Sequence, residues 1–295
     1  MDDTQLVPHH QEIEKDQLKR LIREAIQNAN LKSSRTILNV SAGMDEAELQ
    51  KLYRREGQKL FKYFKKYCGD PASTAHQLTG QHYRAVANEL FRNRTLQMER
   101  MNSGWRYQFL ATDCARVSGR FRSVSDIGAS EADVNIIIDF ADGHKSSLNL
   151  YVSIKNRSNT MGGQDWPKAI KALESVAIND KNRTGPYCCV FGIAMERGKR
   201  FIKRERITHN PHSVNTEVWL SDFFWPFFAN LSYEEVMSNV LEVLRESDQT
   251  SNALTYVELP EELLEEFSRQ CRLSKLIDED GVFNDPYALV RYFCQ

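Results

Sequence analysis

The chain lacks most of the short signatures that identify a chemistry by themselves. No apolar run approaches the roughly 20 residues needed to cross a bilayer, so no membrane partner is expected. The N-terminal MDDTQLVPHHQEIEKD is acidic and has no secretory hydrophobic region. The six cysteines, Cys68, Cys114, Cys188, Cys189, Cys271 and Cys294, form no CxxC pair. That gives a zinc site little support; Cys188 and Cys189, in an apolar run, read as buried free thiols, and a reducing cytoplasm fits. Neither GxGxxG nor the P-loop pattern occurs, so no nucleotide cofactor is expected. The GxSxG elbow of the serine hydrolases is absent too. Net charge is also missing: 39 Lys and Arg meet 40 Asp and Glu, which leaves −1. Such a balance excludes a protein that coats nucleic acid over its whole surface. A local basic groove stays open, because fields act within about 10 Å at moderate salt.

What is present suffices for a real core. Of 295 residues, 41% are hydrophobic, enough for one large or two smaller domains. Apolar residues recur at helical spacing over 11–30 (Ile13, Leu18, Leu21, Ile22, Ala25, Ile26) and over 45–67 (Leu49, Leu52, Tyr53, Leu60, Phe61, Phe64). A third helix is expected from a Ser73 or Thr74 cap to about Arg94, with more helix beyond and a break near Gly104. Residues 117–130 read as loop. Strands follow, then a helix near 165–177, a continuous apolar strand at 187–195, a further strand with an aromatic exit, and helices at 233–246, 260–276 and 286–293. This order predicts an α/β fold, a mixed β-sheet core flanked by helices, with helical N- and C-terminal parts. The expected spans are 1–72, 73–247 and 248–295, packed as one unit.

The centre of the chain is EADVNIIIDFADGHKSSLNLYVSIKNRSNTMGGQDW, residues 131–166. It reads as a hairpin turning at Asp142-Gly143. Val134, Ile136, Ile138 and Phe140 share one face with Leu148, Leu150, Val152 and Ile154. Asp133, Asn135, Tyr151, Ser153 and Lys155 share the other. A turn centred there puts Asp133 beside Ser153 and near Lys155, since opposed residues sit roughly 5 Å apart. Phosphodiester hydrolysis needs an activated water and neutralised charge. A carboxylate-held hard cation does both, and a nearby lysine can orient or deprotonate the water. The plain alternative is a half-exposed hairpin with a solvated Asp and Lys.

Glu131-Ala132-Asp133, an apolar strand, and Ser153-Ile154-Lys155 at the end of the next strand resemble the PD-(D/E)XK nuclease core. The pattern is most similar to type II restriction endonucleases with Ser-x-Lys in place of Glu-x-Lys, and within them to the ApaLI-like group. The resemblance covers about 35 residues and implies a restriction-endonuclease-like sheet. It implies Asp133 as the central metal-binding acid, Lys155 as the catalytic lysine and the Ile154 carbonyl as a further metal ligand, with Ser153 in the catalytic motif. Ala132 stands where the family has proline. Ser153 stands where it has a second acid, so a carboxylate from elsewhere must fill the gap. Asp165 is preferred, with Glu131 and Glu174 as further candidates, Gln164 as a neutral stand-in, and Glu89 and Glu99 more remote. The cofactor implied is Mg²⁺, with Mn²⁺ able to substitute. The partners implied are double-stranded DNA, cut at a specific short palindromic site, and a second copy of the chain in a homodimer.

Basic segments supply candidate DNA contacts. RGKRFIKRER carries Arg197, Lys199, Arg200, Lys203, Arg204 and Arg206, and the loop after Lys155 carries Asn156 and Arg157. An exposed loop or strand end is the plain reading of the first. Lys51, Arg54, Arg55, Lys59, Lys62, Lys65 and Lys66 line the outer face of the second helix, either as a solvated face or as a DNA-backbone contact. Lys181 and Arg183 make a weaker cluster. His209 and His212 read as loop histidines. Phe223 to Phe228 read as core or as a dimer interface. Two rivals remain: a structure-specific repair or defence nuclease on the same core, and a non-catalytic DNA-binding protein.

Overall fold

The structure, a computed structural model, describes residues 3–33, 44–66, 68–128, 131–142, 147–158, 166–202, 216–246 and 258–295. Its elements are α1 (Lys15–Ser33), α2 (Glu46–Lys66), α3 (Pro71–Leu78), α4 (Tyr83–Val117), β1 (Ser123–Asp126), β2 (Val134–Asp139), β3 (Ser147–Lys155) and α5 (Trp166–Asn179), then β4 (Tyr187–Ile193), β5 (Arg200–Ile202), β6 (Thr216–Trp219), α6 (Ser221–Ala229), α7 (Tyr233–Glu246), α8 (Glu261–Leu273) and α9 (Pro286–Phe293). Among the described residues the chain is thus α/β with a mixed six-stranded sheet. No helix among the described residues is long and apolar enough to cross a membrane.

The chain divides into two compact units, each built from separated segments. The first comprises Met1–Lys32 and Asn102–Thr250, the second Ser33–Met101 and Ser251–Gln295. The consecutive spans 1–72, 73–247 and 248–295 expected from sequence are drawn differently. α4 contributes its first part to the second unit and its last part to the first.

In the first unit the strand order is β1-β2-β3-β4-β6-β5. β2 pairs antiparallel with β1 and β3, β4 runs parallel to β3 and β6, and β5 returns antiparallel along β6. The β2–β3 register pairs Val134 with Val152 and Asp139 with Ser147, which continues to Asp133 opposite Ser153, within the expected range; Gly143 of the expected turn lies outside the described residues. The apolar face of the hairpin joins α1, α4, α6 and α7 residues in one core. The other face is covered too: Tyr151, Cys189, Phe191, Ile193 and Val218 pack with Trp166, Ile170, Leu173 and Ala177 of α5. β4 is accordingly buried on both faces, with Cys188 and Val190 in one core and Cys189, Phe191 and Ile193 in the other. Each large apolar side chain fully removed from water contributes about 1.5–3 kcal/mol. Gly192 is required by close approach, because a Cβ there would lie 2.3 Å from Phe224 Cε2.

Three local expectations are corrected. The polar SVSD of 123–126 lies within the expected loop yet forms edge strand β1, because β2 offers it a backbone partner. Arg200–Ile202 of the basic segment is also an edge strand, β5, which agrees with the strand-end form of its plain reading. The third helix is two helices. Asp70 accepts from the Ser73 amide at 2.7 Å with Pro71 at the first turn, so α3 starts before the expected cap and ends at Leu78. α4 then runs unbroken through Gly104, since one glycine costs a helix only about 1 kcal/mol. The aromatic run after β6 is helix α6, with Phe224, Trp225, Phe227 and Phe228 in the core.

The second unit has its own core, centred on Leu60, Phe64, Val86, Leu263, Phe267, Phe283 and Leu289. α2 and α8 meet closely at Gly57, where a Cβ would lie 2.7 Å from the Leu263 carbonyl oxygen. Glu56 is buried beside that contact and holds Lys59 at 2.6 Å and Arg94 at 3.2 Å.

Candidate functional site

Asp133 sits just ahead of β2 and is fixed from both sides. Its amide donates to the Val152 carbonyl at 2.8 Å, and its carbonyl accepts from the Ile127 amide at 3.2 Å. β1 and β3 therefore hold its backbone between them. Its side chain turns to the end of β3, where the carboxylate accepts from the Ile154 amide at 2.6 Å. Ser153, only 1% exposed, also hydrogen-bonds to it. Burial raises the Asp133 pKa above the usual carboxylate value, against the lowering influence of Lys155, the Ile154 amide, Lys32 and Ser153. The acid and the hydroxyl thus meet at the end of the β2–β3 hairpin, with Lys155 close enough for its charge to act on Asp133.

Ile154 takes part through its backbone. The Lys155 carbonyl accepts from the Ala194 amide at 2.9 Å, so Lys155 faces β4. Peptide groups alternate sides along a strand, and those of Ile154 face β2, where Asp133 meets its N–H. The Ile154 carbonyl points to that same side.

Could these residues hold a metal? Mg²⁺ takes oxygen donors, keeps several waters, and binds through one or two carboxylates plus substrate phosphate. One carboxylate and one peptide carbonyl on the same side of β3 fit that requirement at its minimum. No group of three or more His, Cys, Asp or Glu able to hold a metal occurs among the described residues. Of the candidates for the second acid, Asp165 and the stand-in Gln164 lie outside the described residues. Glu174 is not brought to the site. It accepts from the Thr216 hydroxyl on β6, two strands away from β3. Glu131 is exposed beside buried Ala132. Glu89 is exposed in the second unit, and the side chain of Glu99 lies outside the description.

The proposed DNA contacts divide. Arg157 is exposed on the loop after β3. Asn156 turns inward and donates to the Ser103 hydroxyl of α4 at 2.9 Å. Arg197 faces Asp222 at 3.5 Å. Arg200 lies 3.8 Å from Glu217 and 4.7 Å over the Phe223 ring. Both arginines therefore have local structural partners. Lys199 is exposed, while Lys203, Arg204 and Arg206, like His209 and His212, fall outside the described residues. Arg183 stacks 4.4 Å over Tyr187. In the second unit Lys59 pairs with Glu56, and the remaining α2 cations Lys51, Arg54, Arg55, Lys62, Lys65 and Lys66 are exposed.

Two residues at this end of the sheet have no sequence signal. Lys32, in the last turn of α1, adds its charge to that of Lys155 at Asp133. Glu196, just past β4, accepts from the Ser158 amide at 2.9 Å and so holds the loop that follows Lys155. Comparison with protein-family models and with curated proteins gives no match to this chain.

Proposed function

We propose that the chain is a metal-dependent endodeoxyribonuclease that hydrolyses a phosphodiester bond of double-stranded DNA. The observation that carries this reading is the half-buried Asp133 carboxylate. It is bonded to the Ile154 amide and to Ser153, and Lys155 is the next residue. Asp133 and the Ile154 carbonyl would hold Mg²⁺ or Mn²⁺, which supplies charge neutralisation and a more acidic bound water. Asp165 or Glu131 remains the acid proposed to complete the set. Lys155 orients the attacking water or takes its proton, and its ammonium form offsets charge gathering on the phosphoryl oxygens. One P–O bond forms to water, one breaks to the leaving strand, and that strand's oxygen ends protonated. Ser153 keeps the Asp133 carboxylate oriented.

The restriction form of the reading, a homodimer cutting one short palindromic site, is drawn from the resemblance of the 131–166 stretch. A two-fold protein matches a two-fold site with one centre per strand. Incubating the protein with plasmid DNA and Mg²⁺ tests both levels. Discrete fragments support site-specific cleavage, and a smear supports a nuclease without sequence preference. Intact plasmid under Mg²⁺ and Mn²⁺ removes the catalytic reading. The non-catalytic alternative is favoured by one observation: no group of three or more His, Cys, Asp or Glu able to hold a metal occurs among the described residues. That protein would retard DNA on a gel and never nick it.

A further inference from the structure

The C-terminal end of α1 and the middle of α4, which border the Asp133 site, are joined by specific contacts. Asn102 donates to Asn30 across the two helices at 3.4 Å. Two residues beyond Asn30, the Lys32 ammonium lies 3.6 Å over the Trp105 ring and 5.5 Å from that of Phe109. Between those contacts on α4, Ser103 accepts from Asn156, the residue that follows Lys155. The same α4 turn is therefore bonded to the lysine strand and carries Lys32 on its ring. No acid pairs with Lys32 in this arrangement among the described residues; an aromatic face holds it instead. A ring face fixes an ammonium without neutralising it, so the charge stays available to an anion. Polar capacity is spare here as well. Asn156 Oδ1 is buried without a hydrogen-bond partner among the described residues. Such atoms mark places that a ligand or water completes.

We propose that Lys32 is a second phosphate-binding cation of this site, held on Trp105 and acting with Lys155 on one nucleic-acid phosphodiester. The proposal rests on the nuclease reading for its chemistry, but on contacts of its own for its geometry. Lys155 comes from the sheet and Lys32 from the helical layer, so a phosphate between them is clamped from two elements. Lys32 is a binding and charge-stabilising group, while Lys155 deals with the water. The Trp105 ring is a positioning group, because it limits where the ammonium can go.

The experiment uses the full chain and a duplex oligonucleotide. Binding is measured in EDTA over a range of salt, and cleavage is measured with Mg²⁺. Lys32→Met keeps an apolar stem over Trp105 and removes only the charge. It is expected to weaken binding and to lower the slope of log affinity against log salt by about 0.9, the contribution of one phosphate contact. Cleavage should fall about tenfold or more, and Lys32→Arg should restore both. Trp105→Leu should keep the salt slope and lose cleavage rate, a pattern that a purely structural role does not produce. An unchanged slope in Lys32→Met with unchanged cleavage overturns the proposal, and so does failure of Lys32→Arg to rescue. If the parent protein binds the duplex and never cuts it, the nuclease reading fails while the salt slope still decides Lys32. A parent that binds no nucleic acid overturns both.

Discussion

The carboxylate of Asp133 takes the place in the ladder that a backbone carbonyl would occupy, accepting from the Ile154 amide at 2.6 Å while the Asp133 amide donates to Val152 at 2.8 Å. This exchange ends the β2–β3 pairing and aims an acid along the edge of β3. The same backbone alternation brings the Ile154 carbonyl to that side. Position and chemistry are therefore set together: the residue that closes the hairpin is also the acid of the candidate site.

This relationship separates two substitutions that look alike. Asp133→Asn keeps an acceptor for the Ile154 amide and removes a charge that burial penalises. It should be as stable as the parent at neutral pH, or more so. Asp133→Ala leaves a shielded N–H unpaired and should lose about 1–3 kcal/mol. Thermal melting distinguishes them. Both, with Lys155→Ala, should lower plasmid nicking by about a hundredfold or more if the group works as proposed. An active Lys155→Ala protein would count directly against the nuclease reading.

Ser153 allows a direct test of the metal. It is buried and bonded to Asp133 where the resembled family has a second acid. Ser153→Glu would place a second carboxylate against the first. Without metal, an unpaired buried charge of this kind costs about 3–5 kcal/mol. A divalent cation bound between the two acids would offset much of that loss. The expected result is a sharp drop in melting temperature in EDTA that millimolar Mg²⁺ reverses in the variant more than in the parent. A drop that Mg²⁺ leaves untouched would show that no cation binds beside Asp133.

Much of this arrangement was legible because β2 and β3 obey a period of two. Once the Asp142 turn is located, Asp133 and Lys155 fall on one side by counting. The helices at 233–246 and 286–293 were equally readable from their apolar stripes. Where local signals conflict, tertiary structure decides. The SVSD strand has no apolar pattern and exists because β2 has an open edge. Phe223 to Phe228 are apolar at every spacing, so neither period stands out, and burial makes them a helix. Lys32 lies past the expected end of the first helix at residue 30, and only folding brings Trp105, 73 positions later, beneath it. Arg197 and Arg200 looked available for DNA because their acids, Asp222 and Glu217, belong to later elements.

The crossing of α2 and α8 leads to a prediction independent of function. At Gly57 a methyl group would lie 2.7 Å from the Leu263 carbonyl oxygen and 2.9 Å from Glu266 Cβ. Neither neighbour is the free end of a flexible chain. Alanine is normally the better helix former, by about 1 kcal/mol. Here overpacking should reverse that preference and leave Gly57→Ala about 1–3 kcal/mol less stable than the parent. Chemical denaturation of the full chain measures the difference, and a stabilised variant would refute the close crossing.

The N-terminal segment offers a test by pH. Buried Arg120 donates to the Val7 carbonyl at 2.8 Å, the Phe227 carbonyl at 3.2 Å and the Asp3 carboxylate at 2.7 Å, with its guanidinium 4.4 Å over the Phe227 ring. His9 lies against the same guanidinium, and its Nε2 donates to the Pro226 carbonyl at 2.9 Å. Its Nδ1 is buried without a partner among the described residues. Burial, and then the Arg120 charge, hold the His9 pKa below the ordinary histidine value. The sign follows directly. As pH falls below about 6.5, the unfolded chain takes up a proton that folded His9 resists, so stability falls with pH. His9→Gln retains an amide donor for Pro226 and does not titrate. Between pH 7 and 5 its stability should fall less steeply than the parent's when followed by denaturant unfolding. Identical slopes in the two proteins would mean that burial and Arg120 do not hold His9 neutral.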